Sequence, residues 1–199
     1  MEPLEKISAV LDRHTDDYHV FLVNHTASGT YELGTSKRYP ICSCFKLAVL
    51  MAQFESMRLP SELNETIEVS PLKLSPGGGV LSYLDSPVLM TIRQLLNLMM
   101  SFSDSTATDL LIERIGLERV RSVLRSACPD SDLTKSTGGI VSDFNSRFSI
   151  KTLKSSPDPL TSFTFSDYSN AKDLANLALV SHNFRSPTKL HHAYSVSLD

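Results

Sequence analysis

One lysine stands alone in an uncharged apolar run, with a serine three residues before it. From Tyr39 to Gln53 the chain reads YPICSCFKLAVLMAQ, and Lys46 is its only charge. Ile41, Phe45, Leu47, Ala48, Val49, Leu50 and Met51 surround it. A helix apolar on every side belongs inside a core. An ammonium placed there without a partner tends to lose its proton. Ser43, at i−3, shares a helical face with Lys46. A hydroxyl beside a lysine of lowered pKa, at a helix N-terminus, is the pairing an activated nucleophile and its base require. Blander uses exist: Ser43 as a helix N-cap and Lys46 as a side chain reaching the surface. On local spacing alone these are the commoner outcome. The same spacing occurs at Ser70/Lys73 and Ser186/Lys189, where proline directly follows the serine, and at Ser169/Lys172. The Ser43 copy is the one whose lysine is the only charge in a long apolar run.

A second polar group, Ser103-Asp104-Ser105, lies 60 residues after Ser43, between Met99-Met100 and TATDLLIERIG. Such a cluster between two helices can simply satisfy free backbone N–H groups. Ser-Asp also occurs at Ser131, Ser142 and Ser166.

The elements that must position these residues are legible from spacing. Pro3 to Asp12 has helical periodicity. Tyr18–Asn24 and Thr30–Leu33 are β-rich and read as a hairpin, separated by Thr26-Ala27-Ser28-Gly29. The helix carrying Ser43 and Lys46 runs to about Met57, with Pro60 closing it. Thr66–Val69 reads as a short strand, and Ser75-Pro76-Gly77-Gly78-Gly79 as a loop. Helices follow over Thr91–Met100, Thr106–Ile115 (stopped by Gly116) and Leu117–Ala127. Cys128 to Asp167, rich in Ser, Asp, Pro and Gly, reads as one long loop. A last helix spans Asn170–Ser181, with Ser169 as its cap. The tail from His182 has no pattern. The order implies an α+β single domain over 1–199: sheet elements about 1–40, a helical lobe about 41–181, and an unassigned tail 182–199.

Composition sets limits. The chain has 199 residues, 41% hydrophobic and 21% charged, with net charge −3. That suits one soluble globular domain and argues against nucleic acid or an anionic membrane as partner. No run is long enough to span a bilayer, and MEPLEKISAVLDRH lacks a signal-peptide layout. The chain reads as cytoplasmic, or as one whose export signal has been lost. Cys42, Cys44 and Cys128 form no CxxC pair, so neither a disulfide framework nor zinc is expected. Cys42 and Cys44 read as small buried hydrophobes beside Ser43. No metal or other cofactor is called for. His191-His192 reads as a surface pair, and no G-x-S-x-G elbow is present.

Together the two motif blocks resemble a family. YELGTSKRYPICSCFKLAVL resembles the strand, turn and nucleophile helix of class A β-lactamases and related penicillin-recognising serine hydrolases. MTIRQLLNLMMSFSDSTATDLLIERIG resembles their helix, Ser-Asp-Asn loop and next helix, and SNAKDLANLAL a later helix. The family motifs are S-x-x-K, S-D-N and K-T-G. The resemblance covers roughly Tyr18 to Leu179. It implies a helical lobe with an antiparallel sheet lobe, and a β-lactam or acyl-peptide substrate. Ser43 would be the acylated nucleophile, Lys46 its neighbour in proton transfer, and Ser103 the donor towards the leaving nitrogen. Asp104 would be structural and Ser105 would contact substrate, while the Ser43 N–H would supply half of an oxyanion hole.

The sequence departs from that pattern in four places. Ser105 stands where the family has asparagine. Cys128 to Asp167 contains no glutamate to activate a deacylating water, and Asp143 is the best stand-in there. No K-T-G is present. Lys151-Thr152-Leu153 falls before the last family helix, and Lys135-Ser136-Thr137-Gly138 has one residue too many. The closing strands and terminal helix have no counterpart, so the sheet lobe is expected to be incomplete and the chain truncated or frameshifted. The alternative is therefore an impaired or inactive relative that binds acyl-peptides or a partner protein. A helical interaction module with Ser43 and Ser103 as mere caps is a third reading, and it requires the two hydroxyls to lie far apart. Oligomeric state is not legible.

Overall fold

The computed structural model describes residues 2–11, 18–24, 29–34, 38–140, 168–169 and 171–183. The chain opens with helix α1 (Glu2–Leu11) and a hairpin of β1 (His19–Asn24) and β2 (Gly29–Gly34). The hairpin register runs from His19 opposite Gly34 to Asn24 opposite Gly29. Strand β3 is two residues, Tyr39–Pro40, and pairs with β6 (Tyr168–Ser169). A 3-10 turn, Cys42–Phe45, then leads directly into α2 (Lys46–Ser56).

Helix α2 is buried almost all round, as its uncharged sequence requires. Ala48, Val49, Leu50, Met51, Ala52 and Phe54 are all buried. It packs against α3 (Ile92–Phe102), α4 (Ser105–Ile115), α5 (Leu117–Ala127) and the final helix α6 (Ala171–Asn183). These contribute Leu95, Met99, Leu111, Leu124 and Leu177 to a single apolar cluster. β1 lies against α6. The architecture is α+β: a helical group, with antiparallel pairs of two strands each among the described residues.

Several expectations from the sequence are corrected here. Ser43 lies in the 3-10 turn, ahead of the α-helix, and caps nothing: the N-cap of α2 is Phe45, with no side-chain cap bond. α2 ends at Ser56, one residue from the expected end at Met57, and the extended Met57 (ψ 132°) rather than Pro60 closes it. Val88–Thr91 forms a strand, β5, antiparallel to β4 (Thr66–Val69). Cys42 and Cys44 are exposed, and only Cys128 is buried. Three-residue turns place side chains differently from the 3.6-residue repeat assumed for a helix. Of the long loop, residues 137–140 are helical. Asp143, the Lys151-Thr152-Leu153 segment, Ser186/Lys189 and the tail lie outside the described residues.

Candidate active site

Two positive-φ residues other than glycine occur among the described residues, and both belong to the polar cluster. They are Cys42 (φ 47°), directly before Ser43, and Ser103 (φ 55°). Side-chain sterics disfavour this region, and residues held there gather where geometry serves function. Ser103 is the left-handed C-cap of α3, and Asp104 starts the next helix as the N-cap of α4. Ser103 is thereby fixed on a sharp corner between two buried helices. Cys42 turns the chain from β3 into the 3-10 turn and leaves Ser43 exposed.

The structure brings Ser43, Lys46 and Ser103 together. Ser43 Oγ lies 3.0 Å from Ser103 Oγ. Lys46 Nζ donates to Ser103 Oγ at 2.7 Å and to the Ser103 carbonyl at 2.6 Å. Among the described residues Lys46 makes no hydrogen bond to Ser43 itself, so the Ser103 hydroxyl stands between them. The capping reading of the two serines required them to be far apart, and they are in hydrogen-bond contact. Lys46 is 5% exposed, so it does not reach the surface.

Burial pushes the Lys46 ammonium below the usual lysine range, while Asp104 and Asp109 pull it partly back. Desolvation dominates because neither carboxylate forms an ion pair with Lys46 among the described residues. Both oxygens of Asp104, 1% exposed, are already engaged. Oδ1 accepts from Ala107 N at 2.9 Å, and Oδ2 from Leu81 N at 2.8 Å. Asp104 thus caps α4 and ties down the loop that follows the glycines.

That loop packs hard on the Ser-Asp-Ser segment. Ser105 N donates to the Gly78 carbonyl at 3.0 Å. A Cβ at Gly77 would stand 2.0 Å from Ser105 Oγ, and one at Gly79 (φ +137°) 2.3 Å from Asp104 Oδ2. Two of the three glycines are therefore required by close approach. Ser105, expected to touch substrate, is 5% exposed beneath Gly77.

The sequence reading missed Asp109. Its carboxylate accepts from Ser75 Oγ at 2.6 Å, Thr137 N at 2.8 Å and Gly138 N at 2.7 Å. It clamps the glycine loop and the Lys135–Gly138 segment to α4. The available signal was one acid in the otherwise uncharged stretch STATDLLI. The Ser70 copy of Ser-x-x-Lys is a turn, in which Ser70 Oγ accepts from Leu72 N at 3.3 Å.

Solved structures share this fold. A β-lactamase from Sphaerobacter thermophilus superposes with a TM-score of 0.71 at 22% identity, over 97% of this chain and 66% of that one. PBP-A gives 0.65 at 17% identity, over 91% and 61%. A PBP-A mutant solved as an acyl-enzyme complex with penicillin G gives 0.61 at 18%, over 88% and 59%. The chain thus spans about three-fifths to two-thirds of the length of these structures. Its fold is that of serine β-lactamases and penicillin-binding proteins. No protein of curated function matches the sequence. The family model described as the beta-lactamase enzyme family matches residues 2–179, nearly the whole chain, and the chain belongs to that family.

Proposed function

We propose that the protein is a serine hydrolase that forms an acyl-enzyme on Ser43 with a β-lactam or a related acyl-peptide amide. The observation that carries this reading is the hydrogen-bonded chain Ser43 Oγ, Ser103 Oγ, Lys46 Nζ, with steps of 3.0 and 2.7 Å. Lys46 in its free-base form accepts the Ser43 proton through the Ser103 hydroxyl. Ser43 Oγ bonds to the carbonyl carbon. The Ser43 N–H, in the first turn where no intrahelical acceptor exists, donates to the oxygen as it gains charge. As the C–N bond breaks, the proton returns through Ser103 to the leaving nitrogen, and Lys46 is again neutral. Water then cleaves the ester. Asp104 positions the corner without touching substrate, and Ser105 shapes the substrate side through the glycine loop it supports.

Intact-mass spectrometry after incubation with a fluorescent penicillin tests the reading, with Ser43→Ala alongside. An adduct on the wild type alone, or penicillin hydrolysis that the variant lacks, is the expected result. Equal labelling of both proteins removes Ser43 from the mechanism. Neither adduct nor hydrolysis from folded protein favours an inactive, ligand-binding relative.

A further inference from the structure

The ends of α2 and α4 remote from the serines border a solvent-open cavity of about 670 Å³ that the hydrolase reading does not use. Its walls include Glu55, Met57, Arg58, Arg114, Ile115 and Arg119. Lys46 opens α2 and Glu55 closes its last turn, so the cavity lies roughly 15 Å along the helix from the lysine.

The three arginines are not equivalent. Arg114 is engaged, with Glu65 at 3.0 Å, Glu62 at 3.5 Å and the Gln53 side-chain oxygen at 3.3 Å. Among the described residues the exposed Arg58 guanidinium meets no acceptor, and exposed Arg119 reaches only the Glu55 carbonyl, at 3.3 Å. Two guanidinium forks without a carboxylate partner among the described residues therefore line one cavity. Two forks suit a group with three or more anionic oxygens, which one carboxylate lacks. The volume falls within the range of small-molecule sites.

The surroundings are mixed in sign, so the attraction for an anion falls to the arginines. Helix α5 starts between Ile115 and Arg119 with no side chain capping it, which sets a positive helix end at the cavity wall, although Glu118 lies in its first turn. The C-terminal ends of α2 and α4 border the cavity too, and two carbonyls in the last turn of α2 are occupied: Gln53 O by Met57 N and Ser56 Oγ, Glu55 O by Arg119. Glu55 is the one cavity carboxylate without an ion pair among the described residues.

We propose that this cavity binds a small molecule through a phosphate or diphosphate group held between Arg58 and Arg119. The inference stands apart from the acyl-enzyme reading. Titration calorimetry of the full chain with pyrophosphate tests it, with Ser43→Ala as a variant whose binding should equal wild type. Arg58→Ser should weaken binding about tenfold, the scale of one charge-assisted bond. Adding Arg119→Ser should abolish it, and Glu55→Gln should tighten it. Arg58 is exposed and its guanidinium has no partner among the described residues, so Arg58→Ser should fold and keeps the test open if the double variant does not. Three results overturn the proposal: no saturable binding to wild type, unchanged binding by folded Arg58→Ser, or malonate binding as tightly as pyrophosphate.

Discussion

Helix α2 buries one polar side chain near each end, two turns apart, and treats them oppositely. Lys46 and Gln53 are 5% and 0% exposed, and both reach towards the α3–α4 segment. Gln53 is neutral and answered at both ends of its amide. Its nitrogen donates to the Leu111 carbonyl at 2.6 Å, and its oxygen accepts from Arg114 at 3.3 Å. Lys46 is ionisable and among the described residues meets only a hydroxyl and a carbonyl, with its carboxylate neighbours engaged elsewhere. A satisfied buried amide specifies and stabilises a packing. A buried ammonium without an ion pair spends stability to keep a base available. The same helix thus has a reactive end and a structural end.

The largest effect that can break this comparison is at the reactive end. Lys46→Met keeps the volume and removes the base, and the rate of acylation by a penicillin should fall about 10³-fold, within the range of positioned acid–base catalysis. Thermal stability at neutral pH should stay level or rise, since a desolvated cation is replaced by an apolar chain. Stopped-flow acylation and a melting curve on one sample check both. A large loss of stability with little change in rate would show Lys46 to be structural.

Gln53→Met should do the reverse. It strips partners from the Leu111 carbonyl and from Arg114, at about 2 kcal/mol of unfolding free energy. Acylation by the folded fraction should be nearly unchanged. Denaturant melts paired with the same rate assay check this.

The comparison also shows what spacing can and cannot reveal. Leu117–Ala127 matches α5 to the residue, because Gly116 and a clean 3.6 repeat mark both ends. The i, i+3 relation paired Ser43 with Lys46 on one helical face, whereas Ser43 lies in a 3-10 turn and both side chains bond Ser103. Lys46 nevertheless bonds a residue 57 positions away, a contact set by the α2–α4 packing and invisible to local periodicity. Nothing in YPICSC announces a left-handed cysteine, so the 3-10 turn and the exposure of Cys42 and Cys44 were missed. β5 was missed because Val88–Met90 is continuously apolar and lacks the alternation that marks a strand. Its pairing with β4 is long-range.

The two ends should also differ in pH response. The folded pKa of Lys46 lies below its unfolded value. Between those values the unfolded chain binds more protons, so stability rises with pH across that window and levels off above the unfolded value. Its slope is at most about 1.4 kcal/mol per pH unit. Acylation should rise with pH through the folded pKa, as the free base forms. Lys46→Met should remove this contribution to both slopes and Gln53→Met neither. Urea melts and rate profiles from neutral to alkaline pH show whether they do.

The smallest expected effect separates the parts of the structural end. Arg114 touches buried Gln53 on one side and Glu65, whose side chain is 55% exposed, on the other. Solvent and salt screen the outer pair, and long side chains lose freedom in making it. Glu65→Gln should therefore cost no more than about 0.5 kcal/mol, and less as ionic strength rises. Gln53→Met should cost several times that at any salt concentration. If Glu65→Gln proved as damaging as Gln53→Met, the stability of this end would reside in the Arg114–Glu65 ion pair. The buried amide would then be a passenger, and the contrast with Lys46 would reduce to one of charge alone.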